Sequence, residues 1–287
     1  MLTLCGWPAE SAARTRSARI AKTVLVVTVV VLGWQLGSSA RSTGIPRYGA
    51  GSDPVQNASS LPGGTVLPLI LGNTISVKES QQGQLIEARI AQDVPLPNRE
   101  KVPARSTVKG SVVSVEKDAD GTAVKITLKF NQLEMRNEKL TIATYLRAIA
   151  SSRAVRSAQT PRTGADGGTP AGWGDTVQIG GDIRYGDGGA VLSRGKQKVG
   201  KGVRGGVVVQ VRANPALGCD GAVNGDDHPQ ALWVFSSDAC GVYDLKDVKI
   251  AHTGKGEPVG DVTLHFEKDD MKLEAGTGML LRIVSQP

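Results

Sequence analysis

Aromatic residues, histidine and cysteine are scarce in this sequence. Phe, Trp and Tyr make up 4% of its 287 residues, which disfavours an aromatic-lined sugar cleft or a platform that stacks nucleic-acid bases. Three histidines and three cysteines leave little material for a zinc centre or a thiol enzyme. We therefore predict no nucleic-acid partner, no metal site and no cofactor.

Glycine and proline are plentiful, with 36 and 14 residues, and no long amphipathic helix is evident. Short apolar or alternating stretches separated by turn residues are typical of β proteins. A hydrophobic content of 40% is enough for a packed core. The composition favours an all-β fold, a barrel or a sandwich of short, mostly antiparallel strands.

The first 40 residues have the pattern of an export segment. Basic residues precede an uncharged, Val-rich stretch, and they are Arg14, Arg16, Arg19 and Lys22. The uncharged stretch spans 23–36, a length typical of a signal-peptide core and short for a bilayer crossing. Ser38 and Ala40 supply small side chains for cleavage. Residues 1–40 are therefore predicted to be a cleaved signal peptide or a retained membrane anchor.

Either form predicts an exported protein, periplasmic or anchored in the inner membrane and facing the periplasm. Without residues 1–40 the net charge falls from +7 to +4, so much of the basicity belongs to targeting. Cys219 and Cys240 are the two cysteines of the exported part. An even cysteine count in an oxidising compartment predicts a disulfide between them, and two buried thiols are the alternative.

Composition divides the exported part into alternating segments. Residues 41–60 and 151–176 are rich in Gly, Ser and Pro and are predicted to be linkers. Residues 61–150 are predicted to form a β module, and 177–287 a second β segment that completes the same sheet system. Residues 140–150 fit a strand or a short helix.

Alternation with period two is clearest at 124–130, where apolar residues alternate with Lys125, Thr127 and Lys129. The Asp-Gly pair that ends 118–121 predicts a hairpin turn before this strand. Further strands are predicted in the apolar runs, which are 66–71, 85–90, 108–115, 177–179, 207–211, 232–235, 248–250, 262–266 and 279–284.

One sequence pattern occurs at both ends of the exported part. Residues 61–71 and 273–283 share the form L-x-x-G-T-x-h-x-L-x-h, where h is apolar, so that Gly64-Thr65 matches Gly276-Thr277. A looser third copy spans 102–110. Each copy predicts a tight turn that leads into a strand. The first and last strands are therefore expected to play equivalent roles in one sheet system.

These three elements resemble, in the same order, the periplasmic β-barrel domain of the VirB10/TrbI family of type IV secretion proteins. The third copy matches through Val102-Pro103-Ala104-Arg105-Ser106, with Ala104-Arg105 in place of the family's glycine. The resemblance covers residues 61–150 and 260–287. It implies a shared barrel more directly than a shared role in secretion.

A basic segment without any acidic residue runs from 194 to 204. Its cations are Arg194, Lys196, Lys198, Lys201 and Arg204. Residues 195–202 nearly match a phosphate-binding loop but lack its final Ser or Thr. We interpret the segment as a mobile loop whose charges are either simply solvated or contact an anionic partner such as a membrane surface.

No residue is predicted to be catalytic. The sequence favours a non-catalytic structural or interaction protein of the cell envelope, which binds an envelope protein or copies of itself. One alternative is an exported binding module for an envelope polymer or ligand, which would expose Trp173, Trp233 or Tyr243. The other alternative is a hydrolase whose site is not recognisable from the sequence.

Overall fold

The computed structural model describes residues 61–97, 99–121, 123–136, 138–161, 175–212, 228–251 and 259–284. These ranges belong to one compact unit, residues 56–287, and they form twenty strands and one helix. The predicted all-β class is confirmed. The described part of the chain contains no helix with the length and hydrophobicity of a membrane span. Segments 1–40 and 41–60 lie outside the described residues.

Within these ranges, the paired strands run antiparallel except for β9 and β16, which are parallel. The elements follow the chain as β1 (Val66–Leu71), β2 (Ile75–Ser76), β3 (Leu85–Ile90), β4 (Val94–Pro95), β5 (Lys101–Val102), β6 (Thr107–Lys117), β7 (Val124–Met135), β8 (Glu138–Thr141), β9 (Thr144–Ala150), α1 (Ser152–Gln159), β10 (Asp175–Val177), β11 (Ile183–Tyr185), β12 (Ala190–Leu192), β13 (Lys198–Val203), β14 (Gly206–Val209), β15 (Gln230–Ala231), β16 (Gly241–Tyr243), β17 (Val248–Ile250), β18 (Asp261–Phe266), β19 (Lys272–Leu273) and β20 (Gly278–Ile283).

Two sheets of unequal size make up most of the fold. The larger has ten strands, nine of them in the order β16-β9-β20-β1-β3-β6-β7-β18-β17, with β8 paired to β7. The smaller is a six-stranded meander from β10 to β15. Two short ladders, β2 with β19 and β4 with β5, complete the described pairing. The larger sheet does not close through its end strands, so the architecture is sandwich-like.

The first core forms on one face of the large sheet because its strands alternate. In β3, Ile86, Ala88 and Ile90 are buried, whereas Leu85 and Glu87 are exposed. The same core contains apolar residues of β1, β6, β7, β18 and β20. Burying each large aliphatic side chain contributes roughly 1.5–3 kcal/mol, so this face supplies much of the driving force for folding.

A second core lies on the opposite face of β1, β9 and β20. Leu280 packs there with Val155 of α1 and Val207 of β14, whereas its neighbours Met279 and Leu281 belong to the first core. The linker predicted over 151–176 is therefore wrong for α1, which is an ordered part of this core. The last two residues of the predicted linker, 175–176, belong to β10. Its middle part, 162–174, lies outside the described residues.

A bulge lets β9 serve both cores. Its register pairs Ala148 with Leu280 and Leu146 with Leu281, which leaves Arg147 as an extra residue. The extra residue reverses the alternation, so Leu146 and Ile149 face the first core and Ala148 faces the second. The segment 140–150, which the sequence left open between helix and strand, thus contains the end of β8 and all of β9, and β9 is buried on both faces.

Side-chain amides link the backbones of the two sheets. Gln92, buried just after β3, donates from Nε2 to the Val207 carbonyl at 2.8 Å and accepts from the Val207 N–H at 3.2 Å. Gln230 of β15 accepts a hydrogen bond from the Val66 N–H of β1 at 3.1 Å. The relative position of the sheets is therefore set by directional bonds as well as by apolar packing.

The Gly-Thr motifs form a reciprocal pair of turns. The N–H of Gly64 donates to the Ile283 carbonyl at 2.8 Å, and the N–H of Ile283 donates to the Thr65 carbonyl at 2.8 Å. In the same way, the N–H of Gly276 donates to the Leu71 carbonyl at 2.8 Å, and the N–H of Leu71 donates to the Thr277 carbonyl at 2.9 Å. Strands β1 and β20 begin with equivalent turns in one sheet, as the sequence echo predicted. The structure adds that they pair with each other.

Strands β3 and β6 repeat this arrangement. The Arg105 N–H donates to the Ile90 carbonyl at 2.8 Å, and the Ile90 N–H donates to the Ser106 carbonyl at 2.8 Å. Before β3, the Gly83 N–H donates to the Val112 carbonyl at 2.8 Å, and the Val112 N–H returns a bond to the carbonyl of residue 84 at 2.9 Å. The fourth turn has no Thr, which is why the sequence pattern missed it.

Arg105 occupies the position that Gly holds in the other three turns. Its φ is 71°, close to the 88°, 84° and 91° of Gly64, Gly83 and Gly276. A side chain in this left-handed region costs roughly 1–2 kcal/mol. Arg105→Gly removes that cost, but glycine also gives the unfolded chain more conformational entropy, which favours unfolding. We therefore expect Arg105→Gly to raise the free energy of unfolding by up to about 1 kcal/mol. Gly64→Ala and Gly276→Ala should each lower it by at least about 1 kcal/mol. Urea unfolding measures all three, and a destabilised Arg105→Gly variant would contradict the turn assignment.

The strand predicted over 232–235 is wrong. Strand β15 ends at Ala231, and a turn follows in which Trp233 adopts a φ of 51°. The Phe235 N–H donates to the Leu232 carbonyl at 2.8 Å and closes this turn. Trp233 and Phe235 are both buried, so their apolar side chains reach the core without forming a strand.

Candidate binding groove

The five cations of segment 194–204 occupy three places. Residues 198–203 form β13, so the loop interpretation is wrong for this stretch. Arg194 and Lys196 lie in the turn between β12 and β13, and Arg204 lies in the turn at the other end of β13. Lys198 and Lys201 line one cavity together. Contact with an anionic partner stays a prediction, and Lys198 and Lys201 are the two predicted contact residues that share a cavity.

Lys198 and Lys201 line a groove of about 680 Å³, a volume typical of ligand sites. The groove lies between the outer surface of β13 and β14, the turn before β1, the β4–β5 hairpin and the residues before β15. Its apolar walls are Pro62, Pro95, Leu96, Pro97, Val208 and Pro229.

A bulge in β13 places both lysines on the groove side. The register pairs Leu192 with Lys198 and Val191 with Gly200, so one residue of β13 is extra. Residues three apart in a regular strand face opposite sides, and one extra residue brings Lys198 and Lys201 to the same side. A Cβ at Gly200 would lie 2.3 Å from the Val208 carbonyl oxygen, so glycine is needed for this close approach of β13 and β14.

Asp93 braces the hairpin that forms one wall. Its Oδ1 accepts from the Ala104 N–H at 2.8 Å, and its Oδ2 accepts from Lys101 Nζ at 2.6 Å. The backbone bond from Ala104, followed by the bond from Lys101, lowers the pKa of Asp93 below its ordinary value. Pro95 and Pro97 fix their own φ angles, so this wall is preformed.

The groove combines positive charge with apolar surface. Lys198 and Lys201 are exposed, and the exposed His228 also lines the groove. The described lining residues include no Asp or Glu. An occupant with a negative group beside an apolar body would gain both Coulomb attraction and burial of apolar area in this setting.

The aromatic residues that a polymer-binding module would expose are not exposed where the structure describes them. Trp233 is 2% exposed and lies in the second core. Tyr243 is half-buried, its hydroxyl accepts a hydrogen bond from the Cys240 N–H at 3.0 Å, and its ring meets Phe235 edge-on. Trp173 lies outside the described residues. Neither Trp233 nor Tyr243 therefore offers an exposed platform.

The predicted disulfide stays a prediction, because Cys219 lies outside the described residues. Cys240 is 3% exposed and immediately precedes β16. It follows Ala239, a residue of the second core. Burial at this position suits either of the two states that the sequence left open.

A buried polar cluster between the sheets was not predicted from the sequence. Arg147, the bulge residue of β9, is fully buried, and its Nη2 donates to the carbonyls of Arg212 and Ser237, each at 3.4 Å. Its Nε and Nη1 have no hydrogen-bond partner within the described residues. Burial, with a smaller effect of nearby Arg282, lowers the pKa of Arg147 to about 10, so the side chain remains charged at neutral pH.

Asp182 joins this cluster from the turn between β10 and β11. It is 1% exposed, and its Oδ2 accepts from the Ser237 N–H at 2.7 Å. Burial raises the pKa of Asp182 above 3.8, in spite of the opposing hydrogen bond from Ser237. The native state therefore holds this proton more tightly than the unfolded chain does, and the contribution of Asp182 to stability falls as the pH rises above about 4.

Asp182→Asn should remove this pH dependence. The amide oxygen of Asn can still accept from the Ser237 N–H, whereas no charge has to be buried. We expect the free energy of unfolding of the variant, minus that of the parent, to be larger at pH 7 than at pH 4. Urea titrations of both proteins at the two pH values measure the difference, and an equal difference at both values would contradict the burial of a charged Asp182.

No three His, Cys, Asp or Glu side chains gather as a metal site in the described ranges. The hydrolase alternative remains a prediction without a located site. No family model, curated protein or solved structure matches this chain. The groove is therefore interpreted from its own residues alone.

Proposed function

We propose that this chain is a non-catalytic interaction protein of the cell envelope that binds an anionic partner in the groove of Lys198 and Lys201. One observation carries the proposal. Two exposed lysines share a preformed, proline-walled groove whose described lining holds no carboxylate. Such a surface selects a partner by charge sign and by apolar fit.

Export of the chain is part of the same proposal. It is supported by the basic residues before the uncharged stretch 23–36 and by the small residues at 38–40. The β unit would then meet its partner in the periplasm, either released or held at the inner membrane.

A relationship to type IV secretion components is a further part of the proposal. It is supported by the turn motifs at Gly64-Thr65 and Gly276-Thr277, together with the related turn at Arg105-Ser106. Components of such assemblies associate with copies of themselves, and light scattering of the full chain in detergent tests this part. We expect a discrete large oligomer, and a monomer at all concentrations would contradict the secretion relationship.

Anionic-partner binding is tested with the full chain and three soluble or dispersed probes. The probes are poly-glutamate, inorganic polyphosphate and vesicles that contain phosphatidylglycerol. We expect at least one probe to bind, and its affinity to fall about tenfold or more in the double variant Lys198→Gln/Lys201→Gln.

The matched control is the double variant Lys246→Gln/Lys272→Gln. It removes the same charge from two exposed lysines that lie outside the groove. The proposal fails if the two double variants weaken binding equally, because the attraction would then come from net charge rather than from the groove.

A further inference from the structure

We propose that the groove binds an extended polypeptide segment of the partner, with apolar side chains and carboxylates at alternate positions. This inference rests on the proposed function and specifies its occupant. Three observations support a polypeptide as the occupant. They are the spacing of the two lysines, the chemistry of the walls, and the separation of the other three cations of segment 194–204.

The lysine spacing matches the side-chain repeat of an extended chain. The bulge makes Lys198 and Lys201 neighbours on one face of β13, equivalent to residues two apart in a regular strand. Side chains two apart in any extended segment stand about 6.5–7 Å from each other. A segment that runs alongside β13 can therefore place two acidic side chains, two residues apart, opposite the two lysines.

The walls suit a chain that is rigid and apolar between its charges. Pro62, Pro95, Pro97 and Pro229 have no N–H to donate and have fixed φ angles. They offer a preformed apolar surface that loses little entropy when it is covered. A polyphosphate chain would leave this surface unused, because it has no apolar group to bury.

The positions of the other cations argue against a membrane surface as the occupant. Arg194 and Lys196 lie at one end of β13 and Arg204 lies at the other, about 20 Å apart for a strand of six residues. Lys198 and Lys201 lie between them within a concavity. A planar bilayer attracts clustered cations that stand together on one exposed surface, whereas a narrow extended segment can enter a groove.

The experiment is a selection of random decapeptides displayed on phage against the immobilised full chain, with counter-selection against the Lys198→Gln/Lys201→Gln variant. We expect the enriched peptides to carry apolar residues and acidic residues two positions apart. Synthetic copies should bind the parent protein, lose about tenfold or more of their affinity to the double variant, and lose it also when their acidic residues are changed to Gln.

The apolar contribution is tested with Leu96→Ser in the wall and Leu85→Ser as a surface control. Because Leu96 also packs against the first core, thermal unfolding of the Leu96→Ser variant must first show that it is folded at the assay temperature. Leu85 is 80% exposed on β3 and lies outside the groove. We expect the first substitution to weaken peptide binding several-fold and the second to leave it unchanged.

The outcomes separate this inference from the proposed function. If no acidic peptides are enriched while vesicles or polyphosphate bind in a manner that depends on Lys198 and Lys201, the polypeptide inference is overturned and the proposed function stands. If no probe and no peptide depends on these lysines, both are overturned. Enrichment of peptides whose binding ignores Leu96 would overturn the groove as their site.

Discussion

A chain that ends at Lys272 should show no cooperative thermal unfolding. The truncation removes β20, an interior strand of the large sheet that lies between β1 and β9. It exposes the strand edges of both neighbours and removes Met279, Leu280, Leu281 and Ile283 from the two cores. Each of these buried side chains contributes about 1.5–3 kcal/mol. Together with the lost ladder bonds, the free energy removed exceeds the usual free energy of unfolding of a domain, about 5–15 kcal/mol.

The control is a chain that ends at Val284, which keeps β20 whole and should melt like the parent protein. Differential scanning calorimetry measures both. A sharp transition in the chain ending at Lys272, at a temperature close to that of the parent, would show that the sheet folds without β20. The shared-sheet interpretation of the two Gly-Thr motifs would then be wrong.

Gly110→Ala should destabilise the protein on the order of 3 kcal/mol. A Cβ at this position would lie 2.1 Å from the Lys129 carbonyl oxygen and 3.1 Å from the Cα of Phe130, both of them backbone atoms of β7. A register shift at Lys109/Gly110 brings the two strands this close. A side chain could relieve such a clash by changing its rotamer, but backbone atoms cannot. Strands β6 and β7 would therefore have to separate along part of their ladder.

The matched control for this prediction is Gly195→Ala. Gly195 lies in the turn between β12 and β13, where the nearest heavy atom to an added Cβ is Ser193 Oγ at 3.8 Å. We expect its melting temperature to stay within a few degrees of the parent's, whereas Gly110→Ala should fall by roughly 10 °C for a domain of this size. Equal melting temperatures for the two variants would show that β6 and β7 are not packed as closely as described.

Strand positions were largely predictable because they depend on neighbours along the chain. The predicted runs 66–71, 85–90 and 248–250 coincide with β1, β3 and β17. Period-two alternation and apolar runs bounded by turn residues are local signals, and they survive folding wherever the partner strand is regular. The run 232–235 failed because a short apolar segment looks alike in a strand and in a buried turn.

The Gly-Thr pattern predicted the equivalence of two turns but did not identify all the turns of this type that the structure describes. The match between 61–71 and 273–283 indicated an equivalence, and the structure shows its basis in reciprocal backbone bonds. The turn at Arg105 is equivalent in spite of its arginine, since its φ of 71° reproduces the glycine geometry. The turn at Gly83 escaped notice because it has no Thr, and only its backbone bonds mark it as equivalent to the others.

The groove was only partly predictable. The sequence singled out a set of five cations that includes Lys198 and Lys201, because all five lie in one segment without acids. It could not show that these two face one side, since that depends on a bulge defined by pairing with β12. The walls were also hidden, because Pro62 and Pro229 are far apart in the chain and meet only in the folded protein.

The sequence by itself determined the all-β class, most strand positions and the equivalence of the first and last strands, because alternation and turn chemistry are properties of short segments. Only the tertiary structure decided where the alternation reverses, as at Arg147, and which face each strand presents to which core. It also decided that Arg147 and Asp182 are buried together near Ser237, and that two lysines share one proline-walled groove. These features depend on register and on contacts between distant segments, which a linear pattern does not encode.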